Sequence, residues 1–170
     1  MPSPISVKVY CQEHLVQFLT AIYGQQPITF PRKDHFNLLL NACLKRSTSA
    51  EPIVSEIIPN LEILLPFFDD LNVLYNFDLS PRSEALFVKH VDRKFKITFH
   101  SEIDKYVLIG ILRIDAIYLF MEQFDLEEEC LDLLIKDYQR YRDTKKQRGR
   151  YIPKNKSSVK RPNCPEPHIV

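Results

Sequence analysis

The residues best suited to chemistry in this 170-residue chain form a basic, tyrosine-containing segment near its C-terminal end. Residues 136–161 contain 11 Lys and Arg side chains and two acids, Asp137 and Asp143, for a net charge of +9. Tyr138, Tyr141 and Tyr151 are interleaved with these bases. Lysine and arginine neutralise phosphates, while tyrosine can stack on bases or donate to the nucleic-acid backbone. The pattern predicts contact with a nucleic acid.

We expect ten residues of the last helix and the tail to make this contact: Lys136, Arg140, Arg142, Lys145, Lys146, Arg148, Arg150, Tyr151, Lys154 and Lys156. Contacts to phosphates would give weak sequence preference. A second interpretation places Tyr138 and Tyr141 in the core and lets the bases complement the helix dipole. The positive charge continues to Lys160 and Arg161, which is more than the dipole requires.

The rest of the chain has the opposite charge. Residues 1–135 contain 12 bases and 19 acids, for a net charge of −7. Such a polarised molecule is typical of nucleic-acid-binding proteins, and DNA is the leading candidate, although the sequence leaves DNA versus RNA open. It also fits a protein-interaction or assembly role, in which the basic arm docks on an acidic partner or on another copy of the chain.

Other patterns argue against catalysis. His100 and Glu102 form an H-x-E pair, but the P-C-x-x-C sequence that zinc deaminases require is missing. Three glycines far apart cannot form a phosphate-binding loop, and four separated cysteines provide no zinc-binding spacing. We therefore expect a non-enzymatic protein without a metal or cofactor. Cysteines beside apolar residues and the lack of a signal-peptide pattern predict a cytoplasmic location.

The pattern of apolar residues along the chain predicts the elements that position these residues: one α+β domain, predominantly helical, with a small sheet. Alternating apolar residues predict strands at 5–10, 28–30 and 61–65. Apolar stripes predict helices before Gly24 and around Phe36, where Asn37 lies on the solvated face. Ser80 and Pro81 form a good helix start. We expect a globular domain at 1–146 and a flexible basic tail at 147–170.

The most apolar stretch is Tyr106–Met121, YVLIGILRIDAIYLFM, in which Arg113 and Asp115 are the charged residues. A helix that is apolar nearly all round is buried, so the stretch predicts a central core helix. It is too short to span a membrane, and we expect no membrane partner. Leu112→Asp should then unfold the domain. Next, Asp125 and Glu128 predict a capping box that starts the last helix.

Several pieces spread over nearly the whole chain resemble small uncharacterised proteins of Bacteroidetes prophages and conjugative elements. They are FLTAIYGQQPITFPRKDHFN, EILLP, YNFDLS, AIYLFMEQFDL and DYQRYR. None of them is a catalytic signature. The resemblance implies a mobile-element or phage setting in a bacterial cytoplasm, where small DNA-associated accessory or regulatory proteins are common.

Overall fold

The computed structural model describes residues 6–46, 58–65 and 77–150, with the backbone alone at 45–46, 77–78 and 148–150. Its elements, in chain order, are β1 (Ser6–Val9), α1 (Glu13–Tyr23), β2 (Ile28–Thr29), α2 (His35–Cys43), β3 (Lys45–Arg46), β4 (Leu61–Leu64), β5 (Phe77–Asp78), α3 (Pro81–Leu108), α4 (Arg113–Gln123), a 3₁₀ turn (Glu128–Cys130) and α5 (Leu131–Arg150). This confirms the predominantly helical α+β domain.

The three predicted strands form one sheet in the order β1-β4-β2, with β1 antiparallel and β2 parallel to β4. Val7 and Val9 point into the core and pair with Ile63 and Leu61. Asn60 fixes the end of β1, because its amide accepts from the Cys11 N–H at 2.9 Å and donates to the Cys11 carbonyl at 2.8 Å.

The central helix of the domain is α3. Phe87, Val91, Phe95, Phe99 and Ile103 recur every four residues and are at most 2% exposed, so one face of α3 supplies the middle of the core. The helix packs against α1, α2 and α4. Its start is the predicted one: Ser80 Oγ accepts from the Ser83 N–H at 3.2 Å, and Pro81 is the first helical residue.

The prediction of one buried helix over Tyr106–Met121 is wrong. The chain leaves the helix after Leu108, and Gly110 adopts a φ of 93°. The Ile111 N–H then donates to the Tyr106 carbonyl and the Gly110 N–H to the Val107 carbonyl, both at 3.1 Å, which is a Schellman ending. The chain reverses into α4, which packs back against α3. The stretch is therefore a helical hairpin.

Burial in the hairpin differs from the prediction as well. Ala116, Ile117, Phe120 and Met121 of α4 are buried, but Leu112 is 70% exposed. Leu112 is the N-cap residue of α4, and its carbonyl accepts from the Ala116 N–H at 2.9 Å. Leu112→Asp therefore cannot place a carboxylate in the core.

The predicted capping box at Asp125 and Glu128 is also wrong. Asp125 has a φ of 50° and follows the last turn of α4, where the Leu126 N–H donates to the Met121 carbonyl at 2.9 Å. Asp125 thus ends α4 in a second Schellman motif. The 3₁₀ turn follows, and α5 begins at Leu131.

The solvated position predicted for Asn37 is wrong too. Asp34 caps α2 by accepting from the Phe36 N–H at 2.7 Å. Asn37, one turn into the helix, is 1% exposed, and its amide donates to the Arg32 carbonyl at 3.0 Å. This hydrogen bond from the Asn37 side-chain N–H ties the loop before α2 to the helix.

Candidate functional site

The candidate site is α5, which carries seven of the ten predicted binding residues. Leu134 and Tyr138 are buried and Leu131, Ile135 and Tyr141 are half-buried, so an apolar stripe holds the helix on the domain. One interpretation of the sequence predicted that Tyr138 and Tyr141 belong to the core. The polar contacts beside this stripe were not predicted, because they join residues 34 to 41 positions apart.

Asp104 on α3 is the main polar anchor of α5. Its carboxylate accepts from the Tyr138 hydroxyl at 2.8 Å, the Tyr141 hydroxyl at 3.0 Å and Lys145 Nζ at 2.9 Å. Burial alone would raise the pKa of Asp104, but hydrogen bonds from Lys145, Tyr138 and Tyr141 outweigh it and lower the pKa. Asp104 therefore stays ionised and holds three side chains of α5 at once.

One turn earlier on α3, His100 makes a second anchor. Its Nε2 lies 2.7 Å from the Asp137 carboxylate, and its ring stacks on the Tyr141 ring with centroids 4.0 Å apart and planes 10° apart. The Lys145 ammonium lies 5.5 Å from the centre of the same Tyr141 ring. His100 is thus held by the fold, and Glu102 of the H-x-E pair instead accepts from Lys105.

These contacts decide which tyrosines and bases remain available to a ligand. Tyr138 is 4% exposed, so it cannot stack on a base, in agreement with the interpretation that placed it in the core. Tyr141 already stacks on His100. Within the described residues, Lys145 is the α5 base that forms a salt bridge, and Lys136, Arg140, Arg142 and Lys146 form none.

The predicted binding residues do not form one uniform face. Lys136 and Arg140 are exposed and lie four residues apart, on one side of the helix, and Lys146 is also exposed. Arg142 is half-buried. For Arg148 and Arg150 the structure gives the helical backbone, which continues past the domain boundary predicted at residue 146. Tyr151, Lys154 and Lys156 lie outside the described residues.

Lys136 and Arg140 line a groove of about 1510 Å³ that runs between β1, the first turn of α1, α3 and the start of α5. Five Lys and Arg residues and five Asp and Glu residues line it, so the groove has no net charge. Glu129 and Asp132, from the turn before α5 and its first turn, are two of these acids. Phosphates would meet as many acids as bases here.

The remaining histidines and cysteines with described side chains do not form a metal site. No group of three His, Cys, Asp or Glu side chains in the described ranges could hold a metal ion. His35 Nε2 lies 3.2 Å from His90 Nδ1, a hydrogen-bonding distance that links α2 to α3. Cys11 and Cys43 are buried, as their apolar neighbours predict, and burial raises the pKa of the Cys11 thiol to about 12.

A surface feature that the sequence did not reveal lies on the α3–α4 hairpin. Leu108, Ile109 and Leu112 are 89%, 74% and 70% exposed, although they belong to the most apolar stretch of the chain. The signal available in the sequence was Gly110, whose position inside the apolar run marks a helix end.

Comparison of the chain with models of protein families, with curated proteins and with solved structures gave no match. Across the described part of the chain, no helix has the length and apolar content needed to cross a bilayer.

Proposed function

We propose that the chain binds nucleic acid, DNA by preference, through the exposed bases of α5 and the basic segment that follows it. The observation that carries the proposal is the pairing of charges along α5. Of the five α5 bases with described side chains, Lys145 forms a salt bridge in the described structure, and the other four form none. Their charges can therefore neutralise phosphates and release counterions.

The contact would be one of charge rather than of base recognition. Tyr138 is buried and Tyr141 stacks on His100, so among the three tyrosines of the basic segment we assign stacking on bases to Tyr151. Phosphate contacts position a protein without reading sequence, and the binding should be nearly independent of sequence. A non-enzymatic accessory or regulatory protein of a phage or mobile element, working in the bacterial cytoplasm, is the role that this chemistry and the sequence resemblance support.

The test is fluorescence anisotropy on a mixed-sequence duplex and a single strand at several salt concentrations. If about 4 to 6 phosphates are neutralised, log K should fall against log salt with a slope of roughly −4 to −5. Ending the chain after Lys146 removes six bases, Arg148, Arg150, Lys154, Lys156, Lys160 and Arg161, while it retains the Lys145–Asp104 contact. This variant should keep its melting temperature and lose most of the affinity.

A matched pair of substitutions tests the helix itself. Lys136→Gln with Arg140→Gln should reduce the salt slope by about 2, or roughly one unit for each base. Arg93→Gln with Lys94→Gln removes the same two charge types from exposed positions on α3 and should change the slope little. Equal effects of the two pairs, or no binding by the full chain at low salt, would refute the proposal.

A second candidate function, protein interaction, is favoured by the neutral groove. Within the described residues β1 pairs with β4 alone, and its Ser6, Val7 and Lys8 are among the residues that line the groove. An exposed strand edge beside a groove can accept an extended peptide as an added strand. Retention of a protein partner after nuclease digestion, in a pull-down from the host, would favour this function over nucleic-acid binding.

A further inference from the structure

The backbone of β1 has hydrogen-bonding groups that point away from the sheet. In an antiparallel pair, residues that bond to the partner strand alternate with residues whose N–H and C=O point away from it. Glu62 of β4 lies opposite Lys8, yet the Glu62 N–H donates to Gln26 Oε1 at 2.8 Å, beside β2. Lys8 and Glu62 are therefore a non-hydrogen-bonded pair, and the Lys8 N–H and C=O point away from β4.

The residues that follow β1 continue the same alternation. The Cys11 N–H and C=O both bond to the side-chain amide of Asn60, just before β4. The Tyr10 N–H points the other way and donates to Glu84 Oε1 of α3 at 2.8 Å. Lys8 lies two residues before Tyr10, so its backbone groups face the same side. Among the described residues, nothing bonds to the Lys8 N–H or C=O, and β1 presents one donor and one acceptor to the space beside α3.

The groove of about 1510 Å³ occupies this space. Ser6, Val7 and Lys8 all line it, although Val7 points into the core and its two neighbours are exposed on the opposite face of the sheet. A groove that touches both faces of a strand reaches the strand along its edge. Along α3 the lining runs from Pro81 to Lys96, about 22 Å at the rise of a helix. This length accommodates roughly six or seven residues of an extended chain.

A buried histidine provides a second polar contact in the groove. His14, in the first turn of α1, lines the groove but is 9% exposed, and its ring lies 5.2 Å from the Phe95 ring between centroids. Among the described residues, its ring nitrogens have no hydrogen-bond partner. Burial lowers the pKa of His14, so the ring is neutral at pH 7. A neutral imidazole offers one donor and one acceptor, which suits a backbone amide or an uncharged polar side chain.

The groove suits an extended peptide better than other occupants. Its volume exceeds the roughly 300–1,000 Å³ of small-molecule pockets. Its five bases and five acids cancel, so it attracts neither phosphates nor a strongly charged peptide. A folded partner that paired its own sheet edge with β1 would collide with α3, which lies within one side-chain length of the edge at Tyr10. A single extended chain is narrow enough to enter, and its backbone can pair with Lys8.

We infer that this groove binds an extended, nearly uncharged peptide segment of a partner protein, which adds to the sheet as a strand beside β1. The peptide backbone pairs with the Lys8 N–H and C=O, and a polar group of the peptide bonds to His14. Alternate side chains pack on Ala85 and Val88 of α3, so the segment alternates apolar and polar residues. The inference deepens the protein-interaction candidate and rests on it. It does not require nucleic-acid binding by α5.

The probe is a linear heptapeptide selected on the full chain from a random phage-displayed library, then labelled with a fluorophore and titrated by anisotropy. The main variant is Lys8→Pro. Proline is tolerated at an edge position whose N–H points away from the sheet, and it removes the donor that the peptide uses. The dissociation constant should rise about tenfold or more, the effect of one lost hydrogen bond, at an unchanged melting temperature. Lys8→Ala is the matched control, because it retains the N–H and should leave the dissociation constant nearly unchanged.

Two further measurements do not depend on how well Lys8→Pro folds. Single N-methylations along the peptide leave the protein unaltered. Methylation of the amide that pairs with the Lys8 carbonyl should weaken binding about tenfold, whereas methylation of the amides on either side, which point away from β1, should not. His14→Phe keeps a ring against Phe95, removes both ring nitrogens, and should weaken binding about threefold or more.

Three results would overturn the inference. The first is a selection that yields no peptide with a dissociation constant below about 100 µM, or one whose binding tolerates Lys8→Pro and every single N-methylation. The second is a dimer in sedimentation equilibrium that Lys8→Pro dissociates, since the edge would then bind a second copy. The third is a host protein that wild type and Lys8→Pro capture equally after nuclease digestion. That result would uphold the protein-interaction candidate and refute the β1 edge as its site.

Discussion

Leu112→Asp distinguishes the helical hairpin from a buried central helix, because the two structures predict changes in stability of opposite sign. In a buried helix the substitution would place an unpaired carboxylate in the core and unfold a marginal domain. In the hairpin, Leu112 is 70% exposed and is the N-cap residue of α4, with backbone angles φ −63° and ψ 142°. Aspartate is among the best N-cap residues, whereas leucine is among the poorest.

The expected effect is therefore a gain in stability. Leu112 provides no side-chain hydrogen bond to the amides that open α4. An aspartate oxygen there can accept from one of them, and its charge faces the positive end of the helix dipole. The gain from a good N-cap over a poor one is about 0.5–2 kcal/mol. In a domain of this size that raises the melting temperature by roughly 1–8 °C.

The measurement is the free energy of unfolding, from thermal and urea denaturation. Leu112→Ala is the matched control, because it removes the same side chain without adding a cap and should be less stable than Leu112→Asp. Phe99→Ala is the reference for a true core position, since Phe99 is fully buried and contacts Phe95, Phe120 and Tyr138. It should cost about 3–5 kcal/mol. A loss of several kcal/mol in Leu112→Asp would refute the hairpin.

Two more substitutions test the same architecture. Gly110→Ala should destabilise the protein by about 1–2 kcal/mol, because Gly110 has a φ of 93°. In a continuous helix the same change would stabilise the protein by about 1 kcal/mol. Chemical denaturation measures the free energy of unfolding and so distinguishes a loss of stability from a gain. Asp104→Ala should cost about 1–3 kcal/mol, since it leaves the buried Tyr138 hydroxyl without its partner. The pKa of Asp104 is lowered in the folded state, so its contribution is present above the ordinary value of 3.8 and is lost as pH falls through the lower, folded value. The stability difference between wild type and Asp104→Asn should therefore narrow below about pH 4, and a constant difference from neutral to strongly acidic pH would contradict the Asp104 anchor.

The parts of the fold that follow from local pattern could be predicted. Strand β1 alternates buried Val7 and Val9 with exposed Ser6 and Lys8, and its side-chain period of two is visible in the sequence. The start of α3 at Ser80 and Pro81 was likewise local, since an N-cap hydroxyl and a first-turn proline act within three residues. These signals do not depend on the rest of the chain.

The hairpin could not be predicted from hydrophobicity, because apolar residues on all sides of a helix normally mean burial. Leu108 and Ile109 break that rule by remaining exposed at a helix end. The capping box predicted at Asp125 was wrong for a related reason. A D-x-x-E sequence suits a helix start, but Asp125 has a positive φ and ends the preceding helix. In both cases the backbone conformation at one residue, Gly110 or Asp125, decided the outcome.

The contacts of the candidate site were beyond the reach of sequence reasoning, since the fold alone brings His100 and Asp104 of α3 to α5. Their partners divide α5 into two parts. Asp137, Tyr138, Tyr141 and Lys145 lie in the part that is held on the domain by these anchors.

The second part begins after Lys145, the last residue with a contact to α3 among the described side chains, and the helical backbone continues to Arg150. Within the held part, the Asp104 carboxylate forms a salt bridge with Lys145, and the Asp137 carboxylate lies at hydrogen-bonding distance from His100. Little net positive charge therefore remains beside α3. Beyond it, from Lys146 to Arg161, the sequence contains seven bases and no acid. The electrostatic attraction for phosphate must therefore increase along α5 toward its C-terminal end, which is why removal of the chain after Lys146 should reduce affinity more than the loss of Lys136 and Arg140 together.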